Sequence, residues 1–184
     1  MEPLAVFRRA KGSFRIVLEN IGSDELESPT PCSEWTVRDV IMHVIVGDYR
    51  FSGIQVPPIP RDLRGLIDAH SEAAGFAEAV FSAPGGLERD YSFASNVVSG
   101  QIAILKRSRD SFVHGWDLAK ATGQPSDLDP EVAEYLLSFS RQEFNEPQGA
   151  SRRGPGLRYA EERPCRPGSL KADQLAAFLG RTID

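Results

Sequence analysis

Residues 96–123 read NVVSGQIAILKRSRDSFVHGWDLAKATG, and the order of apolar and polar positions in this stretch decides the class of fold. Val97, Ile104, Leu105, Phe112, Trp116 and Leu118 return to one face of a 3.6-residue helix, with small residues between them. The spacing predicts a helix over 96–122, and Gly123 stands where helices commonly end in a left-handed glycine. So long an amphipathic helix needs other helices to cover its stripe, and the flanking sequence supplies them.

Upstream, residues 61–82 carry Leu63, Leu66, Ile67, Phe76, Val80 and Phe81 at helical steps and stop at Pro84-Gly85-Gly86. Residues 83–94 show no period and are read as irregular or briefly extended. A further helix begins at Thr36, a good N-cap, whose amide Asp39 can bond in return as in a capping box. Val37, Val40, Ile41 and Val44 form its apolar face, with His43 beside them. It is expected to run to about 53, and Pro57, Pro58 and Pro60 then enforce a stiff connection. Leu4, Phe7, Phe14, Val17, Leu18 and Ile21 predict a first helix over 2–21.

Downstream, Asp129-Pro130 pairs an N-cap with a proline at the first helical position, and starts a helix over 130–145. Residues 146–168 are rich in Gly, Pro and Arg without a period, and are read as a long surface excursion. A last helix over 169–179 starts at Ser169 and ends at Gly180. Helices dominate and strand signals are almost absent, so the expected class is all-α, a bundle forming a single domain over 1–184.

Composition agrees. The 184 residues are 41% hydrophobic and 26% charged, with net charge -5 and pI near 5.3, ordinary values for a globular chain. An acidic chain whose basic runs, such as Arg152-Arg153, never exceed two residues is a poor match for a polyanion, so no nucleic-acid partner is expected. Two cysteines, Cys32 and Cys165, do not make a disulfide framework. No signal peptide and no bilayer-spanning run is read, so no membrane partner is expected and the cytoplasm is the expected compartment.

Three histidines are available for chemistry. Asp110 and His114 are spaced i, i+4, which sets a carboxylate and an imidazole on one helix face about one turn apart. His43, if its helix neighbours theirs, supplies a third ligand for a divalent metal. A surface hydrogen-bonded pair is the plain alternative for Asp110 and His114, and a satisfied core histidine for His43. His70 lies in the polar stretch Asp68-Ala69-His70-Ser71-Glu72 and is expected in solvent. Cys32 reads as structural, Asp39 as a cap, and Asp117 as a partner of backbone or an arginine. No phosphate-cradling glycine loop and no nucleophile elbow is found.

Two stretches carry a resemblance. Thr30-Pro31-Cys32-Ser33-Glu34-Trp35-Thr36-Val37-Arg38-Asp39-Val40-Ile41-Met42-His43 resembles the first metal-ligand region of the mycothiol-dependent maleylpyruvate isomerase N-terminal domain family, within the DinB-like superfamily. Val113-His114-Gly115-Trp116-Asp117-Leu118-Ala119-Lys120-Ala121-Thr122-Gly123 resembles its second signature, and Ala176-Ala177-Phe178-Leu179-Gly180-Arg181 its usual end. The resemblance implies an up-down-down-up four-helix bundle, here with additional short C-terminal helices, and a His, Glu, His metal triad with open coordination positions. Carried over by position, the ligands are His43, Asp110 and His114, with Asp110 where the family usually has Glu.

The function so implied is a metal-dependent transfer of a small thiol of the mycothiol type to a small electrophile. Zinc is the expected metal, nickel the next, and mycothiol the co-substrate. The family's characterised isomerases carry a second C-terminal domain, for which the residues after the fifth helix are too few, so isomerisation itself is not expected. Two other readings stay open: a non-catalytic bundle that binds a small ligand with a weakened or lost metal site, and a stress-linked bundle that forms a homodimer.

Overall fold

The Thr36 side chain accepts from the Asp39 amide at 3.2 Å, and Asp39 accepts from the Thr36 amide at 3.0 Å. This closed capping box starts the helix that carries His43. The computed structural model describes residues 1–32, 34–93, 96–147, 152–154 and 159–183. Their elements are α1 (Pro3–Glu19), α2 (Val37–Ser52), α3 (Leu63–Ser82), β1 (Asp90–Phe93), β2 (Asn96–Ser99), α4 (Gly100–Ala121), α5 (Pro130–Asn145) and α6 (Lys171–Phe178). The cap expected at Asp129 also forms, accepting from the Val132 amide.

Side-chain contacts fix the direction of each bundle helix. Phe7 meets Phe81 and Phe14 stacks on His70, so α1 and α3 run antiparallel. Tyr49 donates to Glu72 and Phe51 meets Phe81, so α2 and α3 run parallel. Asp48 pairs with Arg107 and His43 with Asp110, so α2 and α4 are antiparallel. Gln124 bonds the Val17 carbonyl and Gly115 lies against Phe14, so α1 and α4 run together. The result is the up-down-down-up bundle, with all-α, DinB-like architecture. Gly115 permits the last contact: a Cβ there would already be 3.3 Å from the Phe14 Cα.

α4 is the centre, buried along nearly its whole length by α1, α2, α5 and α6. It buries three cations because each meets an acid from another helix. Lys106 pairs with Glu143 at 2.5 Å, Arg109 with Glu143 at 2.6 Å, and Arg107 with Asp48 at 2.7 Å.

Three expectations are corrected. The helix expected from 96 begins at Gly100, and residues 96–99 pair antiparallel with β1, Ser92 opposite Val97 and Tyr91 opposite Val98. Two consecutive β-branched residues suit a strand, and Val97, expected in the core, is 66% exposed. Gly100 sets the boundary: a Cβ there would lie 2.2 Å from the Gly86 carbonyl. Second, the inward face of α3 is Leu66, His70, Ala73, Ala77 and Phe81, and Phe76 turns outward. Third, His70 is therefore in the core at 1% exposure, not in solvent; its ring stacks on Phe14 at 4.9 Å.

In the expected 146–168 excursion, residues 148–151 and 155–158 lie outside the described residues. Of the remainder, Arg153 bonds the Phe178 carbonyl at 2.7 Å and forms a bridge with Tyr159. No helix among the described residues is long and apolar enough to cross a membrane.

Candidate metal centre

The antiparallel crossing of α2 and α4 brings His43, Asp110 and His114 together. His43 Nε2 lies 3.4 Å from Asp110 Oδ1 and 3.3 Å from Oδ2, and His114 Nε2 lies 3.8 Å from Oδ1. One ligand atom from each residue falls within 4.8 Å of the others. Tetrahedral bonds of about 2.1 Å to one ion set ligand atoms about 3.4 Å apart, so the donor set is close to the size a divalent cation requires. Asp110, one methylene shorter than Glu, still lies within 3.8 Å of both imidazoles.

Asp110 is held by Arg107, whose Nη1 donates to Oδ2. Oδ1 remains as the oxygen between the two imidazoles. Arg107 also donates to Asp48 Oδ1 at 2.7 Å and to the Val44 carbonyl at 2.6 Å, and Lys11 donates to the second Asp48 oxygen. Lys11, Asp48, Arg107 and Asp110 thus form one buried chain of alternating charge. Burial pushes the Asp110 carboxyl up, but the Arg107 charge and the two imidazoles override it and hold it well below the usual range. Asp48 is likewise held down by Arg107 and Lys11 against the opposing effect of burial. Burial drives Lys11 down to about 8.

His114 is oriented from its other side. Its Nδ1 lies 2.9 Å from Asp117 Oδ2, and Arg181 grips the same carboxylate at 2.8 and 3.2 Å. Burial raises Asp117, and the Arg181 charge, with the hydrogen bonds from His114 and Arg181, brings it net below its ordinary value. An ionised Asp117 only accepts, so Nδ1 is the nitrogen that donates to it, and Nε2 is the one turned towards Asp110. Trp35 covers both rings, stacking on His114 at 5.8 Å and tilting onto His43 at 4.7 Å.

Two cavities meet at this cluster, and His43 and Asp110 line both. One, of about 300 Å³, is walled by Cys32, Trp35, Val113, Tyr159, Leu179 and Arg181. The other, of about 610 Å³, is walled by Gly47, Arg50, Phe51, Arg89, Tyr91 and Arg107. A larger groove of about 750 Å³ along α1 and residues 124–129 holds no histidine or cysteine. Cys32, His114 and Asp117 also lie within 4.8 Å of one another. Burial pushes the Cys32 thiol up, and Asp117 is already committed to Arg181, so this grouping is the poorer cation site.

The three residues chosen from spacing therefore converge, and Asp39 caps its helix as expected. Asp117 bonds an arginine as expected and, beyond that, orients His114. Sequence reasoning missed Trp35, Arg107, Asp48, Lys11 and Arg181. Arg107 precedes Asp110 by three residues, a spacing that could have disclosed the pair; Arg181 has no local signal, being 64 positions from Asp117.

The sequence profile of the mycothiol maleylpyruvate isomerase N-terminal domain matches residues 7–119. Two Mycobacterium tuberculosis proteins, Rv0738 of strain H37Rv and MT0763 of strain CDC 1551, are each 44% identical over 185 residues that span 100% of both chains. The crystal structure of the mycothiol-dependent maleylpyruvate isomerase superposes with a TM-score of 0.56 at 17% identity, covering 77% of this chain and 71% of that one. A histidine-to-alanine mutant of that enzyme gives 0.53 at 15% identity over the same shares. At these identities the structural likeness bears on the fold alone.

Proposed function

This chain belongs to the mycothiol maleylpyruvate isomerase N-terminal domain family, and on that premise we propose that it holds one divalent cation at His43, Asp110 and His114 and transfers a small thiol of the mycothiol type to a small electrophile. The observation that carries this reading is the convergence of three ligand atoms from two helices within 4.8 Å. Two imidazoles and one carboxylate suit zinc first and nickel next. A cation bound by three protein ligands would favour the thiolate form of a thiol in its open position.

The chain's own residues do the rest. Asp110 offers the negative charge, and Arg107 fixes its orientation. Asp117 keeps the His114 proton on Nδ1, so that Nε2 is the ligating atom. Trp35 shields both imidazoles from water on one side. The two cavities give a thiol and an electrophile separate approaches to the same wall. The unpaired Cys32 and Cys165 fit a reducing cytoplasm as the working compartment.

The test is zinc reconstitution followed by mycothiol consumption with 1-chloro-2,4-dinitrobenzene and a panel of other small electrophiles. Acceleration that needs metal and disappears in His43→Ala supports the reading; bound zinc with no acceleration across the panel rejects transfer.

One observation favours a second reading, a non-catalytic binder of a small ligand with a weakened metal site. Arg107 already neutralises one Asp110 oxygen, which lowers the carboxylate's attraction for a cation. Failure to retain zinc after reconstitution selects that reading.

A further inference from the structure

We propose that Arg181 is a positioning residue of the metal centre, acting through Asp117 to determine which ring nitrogen of His114 faces the cation. The inference rests on the metal reading above and adds a part of the chain to it: Arg181 lies beyond residues 7–119, where the family profile matches.

The geometry is a two-point grip. Arg181 Nη2 donates to Asp117 Oδ2 at 2.8 Å and Nε donates to Oδ1 at 3.2 Å. A planar guanidinium bonded to both oxygens fixes the plane of the carboxylate as well as its position. Oδ2, shared with Arg181, is the oxygen 2.9 Å from His114 Nδ1. Asp117 is fully buried, and the Arg181 side chain is 14% exposed, so water offers little competition for these bonds.

A histidine binds metal through one nitrogen, and the hydrogen bond made by the other selects which. Asp117 accepts from Nδ1–H, which leaves Nε2 as the nitrogen turned towards the cation site. Without Arg181 the carboxylate loses the partner that fixes its rotation, and the tautomer of His114 loses its restraint. Arg181 is itself aimed by a built turn. Gly180 adopts φ +95, and a Cβ there would lie 2.6 Å from the Ala160 Cβ. The Arg181 amide donates to the Ala176 carbonyl at 3.0 Å.

The experiment uses the full chain as wild type, Arg181→Met, Arg181→Lys, Arg153→Met, Asp117→Asn and the Arg181→Met/Asp117→Asn double variant. Arg153 ties the same segment through the Phe178 and Ala160 carbonyls without touching Asp117, so Arg153→Met loosens the segment alone. Zinc affinity is read by competition with a chelator, and the His114 tautomer by long-range ¹H–¹⁵N correlation of the metal-free protein. Arg181→Met weakens zinc binding about 10- to 100-fold and mixes the His114 tautomers. Arg181→Lys falls between it and wild type, and carries both readouts if Arg181→Met does not fold. Arg153→Met changes neither, and Arg181→Met adds nothing in an Asp117→Asn background. Unchanged affinity and tautomer in Arg181→Met, or an equal loss in Arg153→Met, overturns the proposal. If wild type binds no zinc, the metal reading fails by itself, and the tautomer measurement still decides the role of Arg181.

Discussion

Arg107 fills the space that a side chain at Gly47 would occupy: a Cβ on Gly47 would stand 2.6 Å from the Arg107 Cζ. From that position the guanidinium reaches Asp48, the Val44 carbonyl and Asp110 at once. A missing side chain on α2 thus lets a buried cation on α4 support a ligand of the candidate metal centre.

Gly47→Ala should therefore destabilise the fold although alanine is the better helix former. The propensity gain is about 1 kcal/mol, whereas overpacking costs about 1–3 kcal/mol, and a displaced Arg107 also weakens its buried pair with Asp48. Denaturant unfolding measures the difference. A variant more stable than wild type would show that Arg107 is not confined by this contact.

Asp110→Asn removes the acid of the proposed triad while keeping its shape. Zinc affinity should fall by more than the roughly 10- to 100-fold typical of an outer partner, and calorimetric titration reads it directly. Retention of wild-type affinity would mean that the carboxylate serves Arg107 and not a metal.

His70 makes stability depend on pH. Neither of its ring nitrogens has a hydrogen-bond partner among the described residues. Burial, and then the Lys11 charge, push its pKa from 6.5 down to about 3. Between those values the unfolded chain holds a proton that the folded chain refuses, so stability falls as pH drops, by up to about 1.4 kcal/mol per pH unit from this group. His70→Leu should lose that component, so it gains on wild type as pH falls from 6 towards 4. Parallel stability curves for the two proteins would contradict it.

Trp35→Ala should loosen both imidazoles, since the indole lies against each. Zinc affinity is expected to drop about 10-fold, near the lower end for supporting groups, and unchanged affinity would reduce Trp35 to a cavity wall.

Two helix starts were readable because their signals are local: Thr36 with Asp39, and Asp129 with Pro130, need no knowledge of the rest of the chain, whereas the last helix, expected from Ser169, begins at Lys171 without a side-chain cap. The spacing of Asp110 and His114 was readable for the same reason. The inward face of α3 was not, because Ala73 and Ala77 form the close-packed surface while the larger Phe76 draws the eye to the wrong side. The run Lys106-Arg107-Ser108-Arg109-Asp110 looks like a solvated face. It is buried because Asp48 and Glu143, on other helices, neutralise it. The second strand was read as helix because Val97 falls on the helical stripe as well as it fits a strand. The support for His114 from Arg181 depends on a turn at Gly180 and a fold-level contact that no nearby residue announces.

The metal reading is decided by anomalous scattering at the zinc edge from a crystal soaked with zinc. It predicts one strong peak about 2.0–2.2 Å from His43 Nε2, from an Asp110 carboxylate oxygen and from His114 Nε2. A peak held instead by Cys32 and Asp117, or no peak between the two imidazoles while the triad is ordered, would contradict it.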